Sequence, residues 1–264
     1  MVFIEFGLLI ASTIAFALAC VMSWRALREH RRASVWFRVG FMTLGFALQC
    51  AFLSLRGQSL GRCPLTSGFE VLIFVTWSIA LFYFLVGGGY RLSLLGFFTA
   101  PLIVIFQCVA LSLFHPVNLP TVDPGLGSVA PVDYWLEFHA ALALISYGAF
   151  ALAFVAGVMF LIQDRYLRVG KTGVFFHQLP PIRYLTQAIG RLLWLGFLLL
   201  SVGILAAFKM ESFPGFYKLI AISLVWLAYG AVIAMRLVGS LGGRRLATIT
   251  VAAFIFPILS CLFL

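Results

Sequence analysis

The sequence predicts an all-α, polytopic membrane bundle of about eight transmembrane helices, with both termini outside the cytoplasm. Composition gives the first reason. Hydrophobic residues make up 63% of the chain and charged residues only 10%, against about 45–50% and about 25% in soluble domains; mean hydropathy is +1.11. The second reason is recurrence: apolar runs long enough to cross a ~30 Å hydrocarbon core, about 20 residues each, follow one another from end to end. They lack the alternation of barrel strands, and only helices or closed barrels satisfy their backbone in lipid. With short junctions throughout, residues 1–264 read as a single transmembrane domain.

Taken in order, the runs are Phe3–Trp24, Val35–Leu55, Val71–Val86, Leu92–Phe114, Phe138–Ile162, Ala188–Phe208, Lys218–Met235 and Leu246–Leu264. The first has no basic leader and is long enough to span, so it is expected to remain as a helix. Orientation follows from the junctions. Of the 18 Lys and Arg, only Arg56, Arg62, Lys209 and Lys218 fall on one side. The others group between Arg25 and Arg38, at Arg91, between Arg165 and Arg191, and between Arg236 and Arg245. Basic residues are retained in the cytoplasm, so these four junctions are predicted to be internal. The net charge of +10 is therefore a topology signal spread over several loops. It is not a nucleic-acid face.

The longest outer junction, His115 to Glu137, contains Pro116, Pro120, Pro124 and Pro131 and no Lys or Arg. Prolines this dense forbid a long helix, so an irregular cap is expected there. The longest internal junction, Gln163 to Gln187, contains Leu179-Pro180-Pro181 before the sixth run. The five cysteines (Cys20, Cys50, Cys63, Cys108, Cys261) show no CxxC and no zinc spacing. Cys63 alone sits in an outer loop, where a plain loop cysteine competes with a thiolate ligand.

Chemistry concentrates on Tyr134-Trp135-Leu136-Glu137-Phe138-His139, where the cap meets the fifth run. An ionisable group held inside a membrane helix defaults to a functional site, and a neutral imidazole near the water boundary is a natural axial ligand for haem iron. Trp135, His139, Leu142 and Ser146 share one helical stripe, continued by Ala149, Ala153 and Gly157. Small residues spaced by four let a neighbouring helix come close, so this stripe is expected to face the bundle interior. His115, also on the outer side, can supply the second axial ligand from the opposite face of an iron. His30 and His177 fall among internal basic residues and read as solvated. Tyr134 and Trp135 fit an interfacial aromatic belt and equally the lining of a flat macrocycle. Glu70 either caps the third helix, where the macrodipole favours a carboxylate, or joins an outer-face site with Trp77. No Walker loop, HExxH or GxSxG is present, and no acid lies mid-run for ion coupling.

Several stretches resemble the cytochrome c assembly family of polytopic haem-handling membrane proteins. Pro64-Leu65-Thr66-Ser67-Gly68-Phe69-Glu70, followed by Phe74 and Trp77, is similar to that family's outer-loop motif. Trp135-Leu136 through His139, then Ser146-Tyr147-Gly148-Ala149-Phe150, is similar to its WLxxH…SYxxF segment, whose histidine the resemblance implicates in binding haem on the outer side. Leu179-Pro180-Pro181 leading to Gly196-Phe197 and Gly203, and Gly243-Arg244-Arg245-Leu246-Ala247, resemble its later helices. The resemblance runs from Pro64 to the C-terminus. It implies haem as cofactor, His139 as axial ligand with Trp135, Tyr134, His115, Glu70 and Trp77 around it, other cytochrome c assembly proteins as partners, and a place in the inner or plasma membrane. One departure limits it. Members that attach haem to apocytochrome carry a tryptophan-rich outer segment with a Trp-Asp pair and a second histidine, and the corresponding Lys209–Lys218 has none of these. The chain is thus more similar to the shorter HemX-like branch, and synthase activity does not carry over. A scaffold or regulator without haem contact, and last a small-molecule transporter, stay open beside haem handling.

Overall fold

A computed structural model describes residues 2–29, 34–87, 95–113, 133–170, 181–210 and 215–263. Among these the elements are α1 (Val2–Glu29), α2 (Ser34–Leu60), α3 (Gly68–Gly87), α4 (Leu95–Ser112), α5 (Tyr134–Val169), α6 (Ile182–Ala207), α7 (Phe216–Leu237), α8 (Gly243–Ala253) and α9 (Ile255–Phe263). No strand occurs among the described residues. Among the described residues, eight helical stretches are long and apolar enough to cross a membrane, with α8 and α9 forming one of them as Gly243–Cys261. The break inside that span falls at Phe254, three residues before Pro257. A proline there has no N–H for the Ala253 carbonyl and its ring crowds that oxygen, which kinks the helix.

Capping chemistry moves several boundaries away from the hydropathy runs. The third helix begins at Gly68, not Val71, because Ser67 caps its N-terminus while Glu70 reaches back one residue further, to Thr66, in a variant of the capping box. The Glu70 N–H donates to Ser67 Oγ (3.3 Å), and Glu70 Oε2 takes the Thr66 N–H (2.9 Å) and hydroxyl (2.7 Å). The fifth begins at Tyr134, not Phe138, because Asp133 Oδ1 accepts from the Trp135 and Leu136 N–H groups. At its far end α5 runs past Ile162 as a polar extension held by Arg168–Asp164 (3.1 Å). It stops at Gly170, whose φ of 68° is left-handed and favours glycine. The internal junction is shortened accordingly, with α6 already helical from Ile182.

Helix α5 is the hub. It packs along α6 and also against α3 and α8, while α1 pairs with α2 and α4, and α9 with α7. The predicted stripe faces inward: His139, Ser146, Ala149, Ala153 and Gly157 are all buried. A Cβ on Gly148 would lie 2.5 Å from Ser78 Cβ, so α3 and α5 touch backbone to backbone there. A Cβ on Gly157 would meet the Val251 side chain (2.9 Å) and the Ala247 carbonyl oxygen (3.3 Å) of α8.

Candidate functional site

One end of the bundle gathers the start of α1, the end of α2, the 61–67 loop, the starts of α3 and α5 and the end of α6. His139, in the second turn of α5, is 6% exposed. Its Nδ1 lies 2.8 Å from the Gly203 carbonyl oxygen on α6. A carbonyl can only accept, so Nδ1 carries a proton, and Nε2 is the nitrogen left for a ligand. Among the described residues Nε2 has no hydrogen-bond partner. Gly203 makes the contact possible, since a Cβ there would sit 3.3 Å from Leu142 Cβ and 3.4 Å from the His139 carbonyl oxygen. An imidazole whose other nitrogen donates to a backbone carbonyl is the arrangement that orients metal-ligating histidines.

The remaining sequence candidates distribute unevenly. Trp135 lies one turn outward on the same α5–α6 seam, 41% exposed. Its ring meets Phe138 edge-on, and Lys209 Nζ stands 4.6 Å from its centroid. Trp135 is thus at the rim, not in the interior its stripe predicted, because α5 has only just begun there. Tyr134 is 78% exposed. Trp77 turns toward α2, donating to Cys50 Sγ (3.2 Å) and stacking on Phe46. His115, the expected second ligand, lies outside the described residues, as do His30 and His177.

Glu70 does more than cap. Its Oε1 accepts from Arg56 Nε at 2.8 Å, and the Arg56 guanidinium also lies 3.5 Å from Glu5 Oε2. All three side chains are buried, so α1, α2 and α3 meet in an ionic cluster that the sequence reading missed. The available signal was a complementary pair at the same predicted side, Glu5 near the start of the first apolar run and Arg56 just past the end of the second. The 61–67 loop ties this cluster to α5 through the Cys63 N–H, which donates to Glu137 Oε1 (3.2 Å). Burial, followed by the Glu137 and Glu70 carboxylates, pushes the Cys63 thiol up to about 11. It therefore stays protonated at neutral pH and is a poor thiolate ligand. Lys209 and Gly203, which the sequence marks only as an outer-side basic residue and a motif glycine, are the other members of this end.

The Cytochrome C assembly protein family matches residues 65–264. The chain belongs to that family. It is 25% identical over 249 residues to Protein HemX of Bacillus subtilis, covering 92% of this chain and 88% of that one. Protein HemX of Brevibacillus brevis is 31% identical over 170 residues, 62% of this chain and 58% of its own length. Cytochrome c biogenesis protein CcsA of Chlorella vulgaris is 24% identical over 276 residues, covering 90% of this chain and 86% of that one. The matched segment includes Glu70, His139, Gly203 and Lys209. Glu5 and Arg56 lie before it. This is accordingly a multi-pass membrane protein of the cytochrome c assembly family.

Proposed function

We propose that this protein handles haem at the outer face of the inner or plasma membrane, with His139 as an axial ligand and other cytochrome c assembly proteins as partners. The observation that carries the reading is the His139–Gly203 bond. A buried imidazole with Nδ1–H committed to a carbonyl keeps Nε2 as its only ligating atom, which fits the donor chemistry that haem iron accepts. Assignment of this end to the outside rests on the basic residues, which favour the opposite junctions. The name of the CcsA relative, a cytochrome c biogenesis protein, agrees in kind. When bound, haem supplies a ligated iron whose potential responds to its axial donors. The protein's part is to hold the imidazole in one tautomer, exclude water from the α5–α6 seam and offer Trp135 as a flat apolar wall.

Haem titration of the purified protein in nanodiscs tests this. A Soret band that saturates, and that His139→Ala removes or shifts, is the expected result. A spectrum unchanged by His139→Ala, or no saturable band, overturns the ligand assignment and leaves the scaffold reading, for which the missing tryptophans of Lys209–Lys218 already speak.

A further inference from the structure

Haem is a flat apolar ring bearing two carboxylates, and a carboxylate left in an apolar surrounding is costly unless a cation or donors meet it. A site built on His139 therefore needs a positive group near the water boundary of the α5–α6 seam. Arg56 is committed to Glu70 and Glu5 and buried. Arg62 belongs to the 61–67 loop and Lys218 to α7, not to α5 or α6. Among the described residues, Lys209, itself exposed, is the cation that touches the seam. Its ammonium is 4.6 Å from the Trp135 ring centroid, and Trp135 is one turn outward of His139.

We propose that Lys209 reads the carboxylates of a porphyrin held at His139, and so selects the free acid over its uncharged ester; this rests on the haem reading above. Two further observations support it. The Lys209 N–H donates to the Ala206 carbonyl (3.0 Å), which pins its backbone to the end of α6, and its side chain is exposed at the rim. No carboxylate among the described residues pairs with its ammonium. The plain explanation, a lysine placed at a helix C-terminus for the macrodipole, accounts for its position but predicts no preference among porphyrins.

The test compares haem with haem dimethyl ester by Soret titration in nanodiscs of neutral phosphatidylcholine. Wild type should bind the free acid more tightly, by about threefold to tenfold for a partly exposed ion pair. Lys209→Met should remove that ratio, Lys209→Arg should keep most of it, and Lys218→Met should leave it unchanged. Thermal melts of each variant by circular dichroism check that the bundle is intact. A His139-dependent band whose acid-to-ester ratio is the same in wild type and Lys209→Met overturns the Lys209 assignment alone. Absence of any His139-dependent band overturns the haem reading and this proposal together.

Discussion

The helices α1–α4 and the helices α5–α9 are held together by different means. In the first set, buried polar groups bridge the helices. Arg56 joins Glu5 and Glu70, Gln49 donates to the Ile73 carbonyl (3.3 Å) and to Thr76 Oγ1, and Gln107 donates to Ser12 (3.4 Å), which donates to the Gly45 carbonyl (2.9 Å). In the second set, glycine notches and stacked rings join the helices alongside neutral hydrogen bonds, His139–Gly203, Tyr147–Ser260 and Trp226–Ser201. Gly157 admits α8, Gly196 admits the Phe150 ring, Gly203 admits the α5 backbone, and Phe150 lies parallel to Tyr229 with centroids 3.6 Å apart. Lipid removes the hydrophobic drive between helices, leaving close packing and polar bonds to hold them. The first region is bridged by a buried ionic cluster, the second by neutral hydrogen bonds and close packing, and the imidazole belongs to the second.

The largest test of this contrast is Arg56→Leu. It leaves two buried carboxylates without their cation, and removal of one partner from a buried ionic group costs about 3–5 kcal/mol. A drop of that size in unfolding free energy should be regained in part by the combined Glu5→Gln, Arg56→Met, Glu70→Gln change. If Arg56→Leu is nearly silent, polar pairing does not hold α1–α3. Next comes Gly148→Ala at the joint between the two sets. Its methyl meets Ser78 with no room to relax, for about 1–3 kcal/mol of overpacking, and the added change Ser78→Gly should recover part of it. An unchanged melt would show that α3 and α5 do not approach so closely.

The smallest effect is kinetic and lies at Cys63, on the loop that links Glu70 to Glu137. Because the two carboxylates and burial raise this thiol to about 11, its alkylation at pH 7–8 should be slow and should accelerate with pH toward that value. Glu137→Gln removes one of the raising charges. It should lower the midpoint and speed labelling at pH 8, as read by iodoacetamide rates and mass spectrometry. A rate already at its plateau near pH 8 contradicts the placement of Cys63 beside Glu137.

Hydropathy made the spans legible, since each run carries its own signal, and the inward turn of His139, Ser146 and Gly157 followed from helical spacing. Helix ends were less legible. The capping side chains Ser67, Glu70 and Asp133, and the polar extension at Asp164–Arg168, extend helices past where apolarity stops. The partners of the site were not legible at all. His139 and Gly203 are 64 residues apart, and Arg56 reaches back to Glu5 across a helical hairpin; such pairings exist only once helices are packed. Trp135 misled for a related reason, since a stripe projected on an endless helix ignores that neighbours end at the rim.

Helix α5 contains 36 residues and no proline, and both its glycines are pinned by neighbouring helices. At 1.5 Å per residue it is a strut of roughly 54 Å, longer than the hydrocarbon it crosses. Its two ends, the imidazole seam and the Asp164 ion pairs with Arg168 and Arg244, therefore cannot shift along the axis independently. The two faces of the membrane are thus joined through one uninterrupted helix.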